Sequence, residues 1–129
     1  MDNSNLTFDN KIMTKATIFH NPRCSKSRSA LSILQEHNVE IEEIRYLETP
    51  PTKQTLESLC SMLCLKPFEL IRTGEVLFKE LGLNKHDLLS DDEWLAILVD
   101  HPKLIERPII QVGNKAVIGR PPENVLNLI

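Results

Sequence analysis

The chain has 129 residues, a formal net charge of −3 at pH 7, and 41% hydrophobic and 26% charged residues. This length and composition are ordinary for one folded globular domain with its own core. The charge balance argues against the strongly basic surface of nucleic-acid-binding proteins, and no apolar run approaches the roughly 20 residues of a membrane-spanning helix. We expect a monomer with no nucleic-acid partner and no membrane partner.

The N-terminal segment, residues 1–12, is polar and rich in Asn and Asp, without the charged-then-apolar pattern of a secretory signal. The three cysteines, Cys24, Cys60 and Cys64, lack the spacing of a disulfide framework or a zinc site. We therefore expect a disordered extension over residues 1–12, a single domain over 13–129, a cytoplasmic location and no metal.

Residues 16–19 form an apolar run that predicts a buried strand. After a turn that contains Pro22, apolar side chains recur with helical spacing, which predicts a helix over about 25–37. Cys24 therefore lies between a strand end and a helix N-terminus. The free N–H groups and the positive dipole there lower a thiol pKa and favour a bound anion. We interpret Cys24 as a reactive thiolate beside an anion site.

A second strand is predicted over residues 39–47, which completes a parallel β-α-β unit with a right-handed crossover. Residues 52–100 are then predicted to form an all-helical insert of small helices. Thr52 can cap the first of these helices. Ser90 and Glu93 have the spacing of a capping box at the start of the last one.

Cys60 falls on the apolar face of the first insert helix, and Cys64 follows one turn later on the same face. We interpret both as small buried side chains. The alternative is that one of them acts as a resolving thiol.

The last part of the chain predicts a hairpin and a helix. Two short β-rich runs, residues 108–112 and 116–118, flank Gly113-Asn114, which is a two-residue hairpin signal. A terminal helix is predicted over residues 123–129. Three of its side chains are expected to face inwards: Val125, Leu126 and Ile129.

The order β-α-β, helical insert, β-β-α predicts an α/β, thioredoxin-like fold: a four-stranded mixed sheet with an all-helical insert at about 52–100. Such folds commonly hold a cis-proline just before the third strand, beside the reactive cysteine. Pro108 occupies that position, so we predict a cis Arg107–Pro108 bond.

The residue three positions after Cys24 is Ser27, so the loop has no second thiol. A disulfide-forming partner must be another cysteine or an external thiol. His20 precedes Cys24 by four residues and either interacts with the thiolate or caps the turn. A protonated imidazole near Cys24 would favour the thiolate.

Three arginines have unusual neighbours: Arg72 follows an apolar pair, Arg107 precedes Pro108, and Arg120 lies between Gly119 and a proline pair. Guanidinium groups bind tetrahedral oxyanions through two parallel hydrogen bonds. A thioredoxin-like layout places Arg107 close to Cys24. Spacing alone does not assemble the three into one site, and on spacing alone a surface charge is the better explanation of each.

The run HNPRCSKSR, from His20 to Arg28, resembles the active-site signature of the glutaredoxin-coupled arsenate reductase family, whose fold is thioredoxin-like. The resemblance continues through residues 46–52, the Arg72 segment, residues 101–109 and residues 118–123. It therefore spans about residues 15–129.

The resemblance implies that Cys24 is the nucleophile and that His20 assists the thiolate. It also implies that arginines hold the oxyanion, together with the helix amides that begin at Ser25. The matching arginines are Arg72, Arg107 and Arg120.

The implied reaction is the reduction of arsenate to arsenite. The thiolate attacks arsenic, glutathione then attacks the adduct, and glutaredoxin resolves the mixed species. Glutathione is a co-substrate and no cofactor is bound. Two alternatives remain: a general glutathione-dependent thiol oxidoreductase, and a non-catalytic regulator of the Spx type that binds RNA polymerase. Spx-type regulators typically carry C-x-x-C, and Ser27 speaks against that alternative.

Overall fold

A four-stranded mixed sheet organises the chain, which the computed structural model describes over residues 14–129. The strands are β1 (Lys15–His20), β2 (Glu40–Arg45), β3 (Ile109–Val112) and β4 (Lys115–Ile118), in the spatial order β2-β1-β3-β4. β1 pairs in parallel with β2, and β3 runs antiparallel to both β1 and β4. This confirms the predicted α/β thioredoxin-like sheet. The predicted extension, residues 1–12, lies outside the described residues.

Four α-helices accompany the sheet: α1 (Ser25–Glu36), α2 (Lys53–Leu63), α3 (Val76–Glu80) and α4 (Asp91–Asp100). Short 3-10 segments cover Pro67–Leu70, Pro102–Leu104 and Pro122–Asn127. The regular elements between β2 and β3 are therefore helical, with one isolated antiparallel bridge between Ile71 and Ile105 that the all-helical prediction did not include. Within residues 14–129, none of these helices combines the length and the apolar character that crossing a bilayer demands.

Side-chain caps fix where the insert helices begin. The Thr52 hydroxyl accepts a hydrogen bond from the Thr55 N–H at 3.1 Å at the start of α2. At the start of α4, Ser90 and Glu93 form the reciprocal pair of bonds of a capping box. Both caps agree with the sequence, and they satisfy N–H groups that the helices themselves leave free.

The two faces of the sheet are buried under different elements. α1 and the C-terminal 3-10 segment cover one face, and the helical insert covers the other. The α1 face buries Ala16, Ile18, Ala30, Leu34, Ile110 and Val125. The insert face has the larger core, which includes Phe19, Tyr46, Leu59, Trp94, Leu98 and Ile109.

The end of α2 corrects one prediction. Cys60 is buried as expected, but α2 ends at Leu63 and Cys64 is exposed. Cys64 adopts the left-handed conformation, with φ of 58°, and closes the helix as its C-cap. The apolar face therefore stops one residue before Cys64.

The C-terminal helix is also different from the prediction. Pro122–Asn127 is a 3-10 segment, in which residues three apart share a face. Val125 is buried, and Leu128 packs beside it on the same cluster, whereas Leu126 and Ile129 are exposed. The α-helical spacing assumed for this segment was wrong.

The β3–β4 hairpin holds the segment before β3 in place. Its turn is Gly113-Asn114, and the Arg107–Pro108 bond is cis, both as predicted. Gly119, just after β4, donates its N–H to the Pro108 carbonyl at 2.9 Å. A Cβ atom at Gly119 would lie only 2.9 Å from Pro108 Cγ, so this position requires glycine.

Candidate active site

Cys24 is the N-cap of α1, at the point where the chain turns away from β1. Its N–H donates to the Asn21 carbonyl at 2.9 Å, and its own carbonyl accepts the first helical bond from Arg28 N–H at 3.0 Å. The Asn21 side chain accepts from Arg23 N–H at 3.0 Å and tightens the same turn. The sulfur is thus held beside the free N–H groups of the first helical turn.

The Cys24 thiol has opposing influences on its pKa. Burial raises the pKa, but the N–H of Ser27, the Arg107 guanidinium and the N–H of Lys26 together outweigh it and leave the pKa lowered. The side chain remains partly accessible. An accessible thiolate is a nucleophile, and the donors that stabilise it also suit an anion bound against it.

Ser27 and His20 form a buried support beneath the loop. His20 Nδ1 lies 2.6 Å from the Ser27 hydroxyl, which also accepts from Asn21 N–H at 3.0 Å. His20 Nε2 lies 3.7 Å from a carboxylate oxygen of Glu43. This arrangement fits a neutral ring with its proton on Nε2, since Nδ1 then accepts the Ser27 hydroxyl proton.

The surroundings of His20 keep the ring neutral. Burial lowers the His20 pKa, Glu43 raises it, and Arg45 and Arg28 lower it further, with a net lowering. Among the described residues, the polar side chains that the ring contacts are Ser27 and Glu43. His20 therefore positions Ser27, whose N–H faces the Cys24 sulfur.

Two of the predicted arginines meet through shared carboxylates. Arg72 Nη1 donates to Glu106 Oε1 at 2.7 Å, and Arg72 Nε donates to Glu75 Oε2 at 3.3 Å. The same Glu75 oxygen lies 3.8 Å from Arg107 Nη1. Glu106 Oε1 also accepts from the Arg107 backbone N–H at 3.1 Å. The four side chains form one charge-balanced network.

Arg107 is the arginine that reaches Cys24, as its effect on the thiol pKa indicates. Its Nε is buried and has no hydrogen-bond partner within residues 14–129. Arg120 is exposed and donates from Nη1 to the Arg107 carbonyl at 3.2 Å. The structure thus brings Arg107 to the sulfur, Arg72 to Arg107, and Arg120 to the backbone of Arg107.

The loop itself carries further positive charge. Arg23, Lys26 and Arg28 are exposed, and Arg28 Nη1 donates to the Pro22 carbonyl at 2.9 Å. Ser25 is exposed and is the first residue of α1. These groups lie at the entrance to the site, in contact with solvent.

Sequence reasoning missed four residues of this site: Glu43, Tyr46, Glu75 and Glu106. The predicted site included none of the three carboxylates, and Tyr46 fell only within the predicted strand over residues 39–47. Glu75 follows Arg72 by three residues and Glu106 adjoins Arg107. That proximity was the available signal. No group of three or more His, Cys, Asp or Glu side chains in the described part of the chain is arranged to hold a metal ion.

Comparisons with known proteins show which proteins this chain is similar to. The model of the ArsC family matches residues 19–128. A protein of Escherichia coli K12 described as uncharacterized protein YfgD is 49% identical over 119 residues, covering 91% of this chain and 99% of its own. An arsenate reductase of Neisseria meningitidis serogroup A is 45% identical and covers 88% and 97%. The structure of an arsenate reductase from Vibrio cholerae, 42% identical, superposes with a TM-score of 0.86 over 91% of this chain and 99% of that one.

Proposed function

Because this chain belongs to the ArsC family, we propose that it reduces arsenate to arsenite with the Cys24 thiolate as nucleophile. One observation carries the proposal: an accessible cysteine of lowered pKa lies between backbone N–H groups and the Arg107 guanidinium. Such donors stabilise the thiolate and an oxyanion at the same place. The relatives named arsenate reductase, similar over nearly their whole length, support arsenate as the substrate.

The first step joins sulfur to arsenic. Arsenate binds against the N–H groups of α1 from Ser25 onward and the Arg107 guanidinium, with Arg72 and Arg120 as further contacts. The Cys24 sulfur bonds to arsenic, and one arsenic oxygen leaves as water after it takes up protons. The lowered thiol pKa increases the fraction of Cys24 present as the nucleophilic thiolate.

External thiols complete the reduction, because Ser27 stands where a second loop thiol would be. Glutathione sulfur attacks arsenic and displaces a second oxygen as water. A glutaredoxin thiolate then attacks the glutathione sulfur. The bond between the glutathione sulfur and arsenic breaks, and its electron pair stays on arsenic. As(V) therefore becomes As(III), and a glutaredoxin–glutathione disulfide forms. Hydrolysis of the Cys24–arsenic bond releases arsenite.

The test is arsenate-dependent oxidation of NADPH in the presence of glutathione, glutaredoxin and glutathione reductase. We expect Cys24→Ser to reduce the rate to background, because the nucleophile is lost. Cys64→Ser is the matched control, since it makes the same substitution at an exposed cysteine. It should retain full activity if external thiols supply both electrons.

The outcomes separate the candidate functions. Wild-type protein that is no faster than Cys24→Ser with arsenate contradicts the proposal. Reduction of a glutathione mixed disulfide by that same protein, in an assay without glutaredoxin, would identify a general thiol oxidoreductase. Loss of activity in Cys64→Ser would show that an internal thiol replaces one of the external ones.

A further inference from the structure

Two buried side-chain polar atoms within residues 14–129 have no hydrogen-bond partner: Arg107 Nε and the Tyr46 hydroxyl oxygen. Buried polar groups are almost always hydrogen-bonded, so each exception calls for an explanation. Both atoms can donate a hydrogen bond, and both side chains lie near Cys24. An acceptor that arrives with a ligand would satisfy them.

Tyr46 is placed by the pairing of β1 with β2. The register sets His20 opposite Arg45, so Tyr46 follows β2 at the level where Asn21 begins the Cys24 loop. The residue is only 1% exposed, and its ring belongs to the same buried cluster as Phe19 and Ile109. The sheet and its core therefore hold the hydroxyl rigidly at the end of the sheet that carries Cys24.

Burial and four neighbouring side chains influence the pKa of the Tyr46 hydroxyl. Burial raises the Tyr46 pKa, Arg107 lowers it, the Cys24 thiolate raises it, and Asn21 and Arg72 lower it, with a net rise. The Asn21 side chain is near enough to act on the hydroxyl as a hydrogen-bonding group, but no group of residues 14–129 has the distance and angle of a hydrogen bond to it. Tyr46 is thus a neutral donor within electrostatic range of the sulfur and of two arginines of the site.

We propose that the Tyr46 hydroxyl donates a hydrogen bond to an oxygen of the oxyanion that Cys24 attacks, which makes Tyr46 a substrate-binding residue. The proposal rests on the proposed function for the identity of that anion, arsenate. A neutral donor binds one oxygen of the anion without adding charge to a site in which Arg107 already provides positive charge. The hydroxyl has no hydrogen-bond partner in residues 14–129, and the bound oxyanion would provide one.

The test uses Tyr46→Phe, which keeps the ring and removes only the hydroxyl. The readout is protection of Cys24 against iodoacetamide by arsenate, measured without added thiols. We expect the half-protecting arsenate concentration to rise about tenfold, the effect of losing one hydrogen bond to a charged ligand. Without arsenate, the pH midpoint of alkylation should be unchanged. Tm should be unchanged or higher, since a buried unpaired hydroxyl has been removed.

Thr17→Val is the matched control, because it removes a hydroxyl from β1 while keeping a strand-forming shape. It should leave the protection unchanged. Equal protection of Tyr46→Phe and wild type, with wild type still reducing arsenate, would overturn the inference alone. A raised alkylation midpoint in Tyr46→Phe would also overturn it, since the hydroxyl would then serve the thiolate. Wild-type protein that is neither protected by arsenate nor able to reduce it would overturn the proposed function and this inference together.

Discussion

Arg72 and Arg107 are two half-buried arginines of one site, yet their surroundings differ. Arg72 uses Nε and Nη1 on carboxylates at 3.3 and 2.7 Å. Arg107 has one longer contact to a carboxylate, 3.8 Å from Nη1, and its Nε is buried without a partner in the described part of the chain. The Arg72 guanidinium is therefore paired with carboxylates, whereas the Arg107 guanidinium keeps a donor that a ligand can use.

We call Arg72, Glu75 and Glu106 the carboxylate side, and Cys24, Tyr46 and Arg107 the thiol side. Glu75 Oε2 faces both arginines, so the carboxylate side also positions the guanidinium of the thiol side. The difference indicates a division of labour: the thiol side binds and reacts, and the carboxylate side mainly supports it, with Arg72 as the secondary arsenate contact proposed above. Substitutions on each side should therefore have different consequences.

Arg107→Ala should cause the largest effect. It removes the one arginine that lowers the Cys24 pKa and leaves the thiol side without its charged donor. We expect kcat/KM for arsenate to fall by about 10²–10³-fold, the cost of losing an oxyanion donor. The pH midpoint of Cys24 alkylation should rise toward the value of about 8.5 of a free thiol. Stopped-flow alkylation and the coupled assay measure the two effects.

Arg107→Lys is the control, since it keeps the charge and loses the planar fork. It should restore most of the alkylation midpoint and little of the turnover. An unchanged midpoint in Arg107→Ala would show that the α1 N–H groups alone activate the thiol.

Arg72→Ala should act mainly on stability. Glu75 and Glu106 lose their contact to Arg72 but keep those to Arg107, and both are partly exposed, so we expect a loss of about 1 kcal/mol in the free energy of unfolding. Turnover should fall less than in Arg107→Ala. Urea denaturation and the coupled assay compare the two variants. An equal loss of turnover in both would remove the distinction between the two sides.

His20→Asn should have the smallest effect at neutral pH and a clear one in acid. The folded His20 has a pKa below the ordinary 6.5, so between these two values the unfolded state binds more protons. The contribution of His20 to the wild-type free energy of unfolding is therefore lost as pH falls below about 6.5. The variant lacks the imidazole that takes up this proton, so its Tm should drop less between pH 7.5 and 5.5. Identical drops would mean that His20 is not the responsible group.

Much of the thiol side could be predicted from the sequence. The apolar run before Cys24 and the helical spacing after it placed the cysteine at a helix N-terminus, and Pro108 was correctly expected to be cis. Local patterns of this kind report strands, helices and turns well. They do not report which distant side chains meet, because residues such as Arg72 and Arg107 are joined only by the tertiary fold.

The carboxylate side shows this limit. The resemblance to known arsenate reductases indicated Arg72 and Arg107, but closeness in sequence was too weak a signal to pair them with Glu75 and Glu106. A glutamate near an arginine in sequence is far more often solvated than bridging. Tyr46 was missed for a different reason: a tyrosine after a strand is typical of a core, and only the structure shows that its hydroxyl lacks a partner.

Gly119 lets the β3–β4 hairpin pack closely against Pro108, the residue that follows Arg107. A methyl group there would meet Pro108, the residue that follows Arg107, at 2.9 Å. Replacement by alanine would therefore force a shift in the segment next to Arg107 without altering any charged or reactive atom. The tolerance of this site to substitution thus depends in part on the volume available at a residue that has no functional group.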